Sequence, residues 1–141
     1  MTTVFGRWLD GALRHIYTPP SDPARRQKWF AGFAAEKVMP LLTQTVKSIE
    51  LHGGKATCRL NENDGRLSAE LVVIPRHLPA GARPPQLTIS AAEGPRPLAI
   101  DHTGTFPRSG ATGGFGAEIE YDTIHSSQLE EHVRTFVALA I

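Results

Sequence analysis

Glu118, Glu120 and Asp122 stand at alternate positions, out of phase with Phe115, Ala117, Ile119 and Tyr121. In an extended strand, alternate side chains share one face about 6.5–7 Å apart. Asp101 has the matching phase beside Leu98 and Ile100. If the two strands pair, four carboxylates share one surface. Hard cations are held by oxygen clusters of this kind, and a basic partner could dock there. The same alternation also describes the solvated face of an ordinary half-buried sheet. No His or Lys stands at a spacing that makes the cluster a hydrolase or nuclease motif.

Other residue types capable of chemistry are scattered. Gly110, Gly113, Gly114 and Gly116 form a glycine-rich run before a strand pattern. Phosphate-cradling glycine loops need a helix to follow, so this run reads as a hairpin tip. The six histidines, His15, His52, His77, His102, His125 and His132, show no zinc-site spacing with Cys, Glu or one another. Asp101 and His102 are neighbours, but in a strand their side chains point to opposite faces. His102 then follows Ile100 toward the core. Cys58 shares the inward phase of Ala56 and Leu60 and reads as a buried thiol. No serine sits in a G-x-S-x-G setting. Arg25, Arg26 and Lys28 lie beside Trp29 and Phe30 without a nucleic-acid-binding signature, and read as a solvated helix face. These residues predict no catalytic residue, no metal site and no cofactor.

The elements that must position such groups follow from periodicity. Residues 3–17 have helical period, with Val4, Phe5, Trp8, Leu9, Ala12, Leu13 and Ile16 on one half of the wheel. Gly6 and Gly11 weaken that helix by about 1 kcal/mol each, so it needs a surface to pack on. Asp22-Pro23 is a helix start, and the pattern runs to Leu51, where Gly53-Gly54 ends it. Pro40 predicts a kink or break near Met39. On a regular wheel the stripe Trp29, Phe30, Phe33 lies a quarter turn or more from the stripe Val38, Leu41, Leu42, Val46, Ile49. From Lys55 the period becomes two, with Asn63-Asp64-Gly65 as a hairpin turn and further strands around 87–91, 98–100 and 115–121. Ser127-x-x-Glu130 opens a C-terminal helix through Leu129, Val133, Phe136, Val137 and Ala140.

The sequence therefore predicts one α+β domain over 1–141. It would comprise an amphipathic helix and Pro-rich linker (1–20), a kinked helix (21–52), a five-stranded antiparallel meander (55–122) and a helix (126–141). The helices would cover one sheet face. The opposite face would be polar, and acidic around the fifth strand. The length of 141 residues suffices for a core without staples, and 40% hydrophobic with 21% charged residues excludes collagen-like, disordered, disulfide-scaffold and membrane-spanning classes. A single cysteine allows no internal disulfide, and no apolar run has the length of a membrane span. The N-terminus lacks a secretory h-region. These features predict a cytoplasmic protein of bacterial type.

Net charge is +1, but residues 1–59 carry +5 and residues 60–141 carry −4. That polarity and the surplus of aromatic helix predict a non-enzymatic binding or assembly module, a homodimer or a small subunit of a complex. Its interface would use Phe5, Trp8, Leu13, Trp29, Phe30 and Phe33. The alternative is a small enzyme or ligand-binding protein. Its site would lie between the loops 75–86 and 103–114, where Arg76, Arg83 and Arg108 would meet an anionic ligand and Asp101, Glu118 and Glu120 would supply acid–base or metal chemistry. Peripheral membrane contact through the first helix is a third reading.

Overall fold

The computed structural model describes residues 16–17, 20, 22–78, 80–91, 98–106, 112–119 and 124–141, with 16–17, 23, 112–119 and 124–127 as backbone alone. The expected first helix, with Phe5, Trp8 and Leu13, lies outside these residues up to position 15. Ile16–Tyr17 is instead a short strand, β1, paired antiparallel with β7, Ile124–His125.

Helix α1, Pro23–Phe33, starts where Asp22 accepts a hydrogen bond from the Ala24 N–H (3.4 Å), with proline in the first turn. It continues through a π-helical turn, Ala34–Val38, into α2, Met39–Leu51. The Met39 N–H donates to the Ala34 carbonyl, five residues back. This wide turn lies immediately before Pro40, whose ring would crowd the carbonyl four residues earlier in a regular helix. One extra residue in a turn also rotates the rest of the helix by about 100°. The two apolar stripes thereby reach one core: Phe30, Phe33, Ala34, Val38, Leu42 and Ile49 are all buried together.

The fold is α+β with an antiparallel sheet. Strands β2 (Lys55–Asn63), β3 (Arg66–Ile74), β4 (Gln86–Ala91) and β5 (Leu98–Thr105) pair in chain order, and β5 also pairs with the backbone of β6, Thr112–Ile119. Asp64 (φ 53°) and Gly65 (φ 77°) make the tight β2–β3 turn, in which both central residues need positive φ. Alternation then sends Ala69, Leu71, Val73, Leu87, Ile89, Leu98 and Ile100 inward. Helix α3, Ser126–Ala140, contributes Leu129, Val133, Phe136 and Ala140 to the same core. Phe136 meets Phe106 edge-on at 5.9 Å.

The other sheet face is largely polar, with Val72, Ile74 and Ala99 as its apolar members, and one of its charged groups is buried. Glu70 pairs across strands with Arg59 and Thr88, yet is 6% exposed. Arg59 Nε donates to it at 2.6 Å and Asn61 Nδ2 at 3.3 Å, so the buried carboxylate is held by side chains of the neighbouring strand. Arg26 departs from its expected solvated face. It is buried, and its Nε donates to the Pro20 carbonyl at 3.0 Å.

Candidate functional site

The β2–β3 hairpin holds nine residue pairs in unbroken register, from Asn63↔Arg66 to Lys55↔Ile74. Its open end therefore brings the residues before Lys55 close to those after Ile74. Before Lys55, helix α2 ends in a two-glycine cap. Gly53 N–H donates to the Glu50 carbonyl (3.0 Å) and Gly54 N–H to the Ile49 carbonyl (2.9 Å). Gly53 adopts φ +83°, and a Cβ there would stand 3.0 Å from Arg76 Nη2. The cap thus requires glycine for its backbone and also leaves room for the Arg76 guanidinium.

Between these segments and the end of α3 lies a cavity of about 600 Å³. Its floor is apolar: Ile49 and Val73 are buried and Val137 is half-buried. Its rim carries His52, Lys55, Arg76 and His77, all exposed. Among the described residues, none of its lining side chains is a carboxylate. The His52 Nδ1 lies 2.8 Å from the Ser48 carbonyl. A carbonyl only accepts, so Nδ1 carries the proton and the ring is held against the helix end, its Nε2 left as the second nitrogen.

A second groove of about 540 Å³ runs along the seam of α2 and α3, lined by Leu41, Thr45, Val133 and Ala138 among others. It shares Ser48, Ile49 and Val137 with the cavity, so the two adjoin. The combined shape is cationic at one end, and along the seam an apolar strip of Leu41, Ile49, Val133, Val137 and Ala138 is edged by Gln44, Thr45, Glu130 and Arg134. Two fixed cations and two imidazoles suit a carboxylate, phosphate or sulfate head, and arginine adds a planar bidentate fork. The carboxylate among the described lining side chains, Glu130, lies in the seam groove and not among the residues that line the basic mouth. Among the described residues no group of three His, Cys, Asp or Glu is placed to hold a metal ion.

The residues named from the sequence fall in different places. Arg76 lines the cavity. Arg83 does not; its side chain is exposed and its carbonyl accepts from the Thr105 N–H at 2.9 Å. Pro85 likewise accepts from the Val73 N–H at 3.0 Å. At Gly104 (φ +97°) a Cβ would stand 2.3 Å from the Pro84 carbonyl oxygen. The proline-rich loop is therefore fastened to the sheet over 83–85, and among its described residues Pro75, Arg76 and His77 reach the cavity. Asp101 is exposed on the polar face, opposite Thr88 and Gly116. The register puts Glu118 opposite Ala99, hence on the same face as Asp101. Arg108, Glu120 and Asp122 lie outside the described residues. His102 occupies the inward phase opposite Leu87, with its ring 5.4 Å from that of Phe136. Burial pushes its pKa below the ordinary imidazole value, the His132 charge adds to this, and Asp101 opposes it.

Of the aromatic stripe, Phe30 and Phe33 are buried inside this chain. Trp29 is half-buried and stacks on Phe33 at 4.7 Å. Phe5, Trp8 and Leu13 lie outside the described residues.

His52, Lys55 and His77 were not singled out by sequence reasoning. The signal was present: counting outward in pairs from Asp64-Gly65 places Lys55 against Ile74, and so His52 and His77 beyond them. No protein-family model matches the chain, and no curated protein or solved structure is significantly similar to it.

Proposed function

We propose that this chain is a non-enzymatic binding module that captures an amphipathic anion. The head, a carboxylate or phosphate, is held by Lys55, Arg76, His52 and His77. The aliphatic body lies over Ile49, Val73 and Val137 and continues along the α2–α3 seam. One observation carries this reading: the cavity joins a four-residue basic rim to an apolar floor, with no carboxylate side chain in its lining among the described residues. The reading takes the sheet, with β6, as a five-stranded meander whose inner face the helices cover.

Calorimetric titration with dodecyl phosphate, dodecanoate and dodecanol tests it. The two anions bind and dodecanol binds more weakly. Charge-assisted hydrogen bonds contribute about 1.5–3 kcal/mol each, so Lys55→Gln with Arg76→Gln lowers anion affinity by about 100-fold or more. Equal affinity for dodecanol and dodecyl phosphate sinks the reading.

Self-association is a second reading, through Phe5, Trp8, Leu13 and Trp29. The half-buried Trp29 ring favours it, because tryptophan is enriched at interfaces. The mass of the protein in solution tests it, and a monomer at all concentrations rules it out.

A further inference from the structure

Four large hydrophobic side chains are exposed among the described residues: Leu51 (86%), Leu60 (41%), Ile74 (45%) and Ile141 (54%). Ile74 and Ile141 line the cavity. Leu51 does not line it, but precedes His52, which does. At 100° per residue Leu51 projects about 60° from Ser48, on the cavity rim, and about 160° from Ile49, in its floor, so it faces outward past the rim. Two of the four exposed aliphatics therefore stand at the mouth whose rim carries Lys55, Arg76, His52 and His77, and Leu51 is the residue directly before that rim's His52.

A ligand inside the cavity would cover Ile74 and Ile141. It would leave Leu51 in water. An occupant that covers Leu51 as well must extend past the mouth, be apolar at depth and be negatively charged at its surface. An anionic bilayer has that profile: basic side chains meet the headgroups while aliphatic ones enter the acyl boundary. We infer that the cavity mouth docks on an anionic phospholipid surface, with Leu51, Ile74 and Ile141 inserted and Lys55 and Arg76 on the headgroups. This rests on the amphipathic-anion reading, since the docked mouth would open the cavity toward the lipid that supplies its ligand.

Flotation with mixed phosphatidylcholine–phosphatidylglycerol vesicles, against pure phosphatidylcholine vesicles, tests the docking. Each basic residue at an anionic surface contributes about fivefold in partition, so Lys55→Gln with Arg76→Gln lowers binding about 25-fold, and added salt lowers it for the wild type. Leu51→Ser lowers vesicle binding about tenfold. It leaves dodecyl phosphate binding without vesicles unchanged, because Leu51 is outside the cavity. Its unfolding midpoint stays at the wild-type value, because the side chain is exposed. No preference for phosphatidylglycerol vesicles, or full vesicle binding by Leu51→Ser, overturns the docking. Loss of dodecyl phosphate binding in the wild type overturns the cavity reading instead, so the two failures are told apart.

Discussion

Gly104→Ala tests whether the proline-rich loop is a fastened part of the sheet, as opposed to a lid over a site. Gly104 has φ +97°, and its added Cβ would stand 2.3 Å from the Pro84 oxygen and 2.8 Å from the Pro84 carbonyl carbon. A left-handed backbone costs an L-residue about 1–2 kcal/mol. The clash is with backbone, so segment 83–85 must move, and the Thr105 N–H to Arg83 carbonyl bond goes with it. That bond contributes about 0.5–1.5 kcal/mol. Together these give a loss of about 1.5–3.5 kcal/mol for Gly104→Ala. Gly81 is the internal control, with φ +80° and nothing within 4 Å of an added Cβ. Gly81→Ala carries only the backbone strain. The entropy that alanine removes from the unfolded chain is common to both and cancels in the difference. Urea unfolding followed by circular dichroism gives both values. Gly104→Ala falling below Gly81→Ala by less than about 0.5 kcal/mol would refute the clamp, since that is under the contribution of one lost hydrogen bond.

Single side chains give two more expected outcomes. His102 has a folded-state pKa below the ordinary value of about 6.5, so the unfolded chain takes up its proton first as pH falls. Stability is full above pH of about 6.5 and declines below it, and His102→Phe flattens that part of a melting-temperature profile; a wild-type profile that rises on acidification contradicts the sign. Arg59→Ala leaves the buried Glu70 carboxylate with its 3.3 Å Asn61 bond and costs about 1–3 kcal/mol, toward the lower end because the Arg59 side chain is 70% exposed. Adding Glu70→Gln recovers part of that loss in a double-mutant cycle, and strict additivity would deny the coupling.

Local features were legible from the chain. Asp22-Pro23 marked a helix start, Gly53-Gly54 its end and Asp64-Gly65 a hairpin turn, because each needs only neighbouring backbone to act. The inward phase of Leu87, Ile89 and Ile100 was equally plain from alternation. Pro40 was legible as a disturbance but not in kind, since a π-helical turn accommodates proline without ending the helix and rotates the second stripe onto the same core. Glu70 looked like a solvated residue because alternation reports the face and not what lies across it; Arg59 is eleven residues away in sequence and directly opposite in space. The cavity was the least legible feature. It joins the end of one helix, the open end of a hairpin and the end of another helix, and its rim residues carry no mutual spacing. Arg76 was named for its loop, which then proved to be fastened beyond His77.

The most direct test of the account is methyl NMR of the protein titrated with dodecyl phosphate. Resonances of Ile49, Val73 and Val137 are expected to shift in a saturable way, with Leu41 and Val133 shifting too as the chain occupies the seam, while Ile89, on the inner face of β4 and in neither lining, stays still. Shifts confined to other parts of the molecule, or none at all, would contradict it.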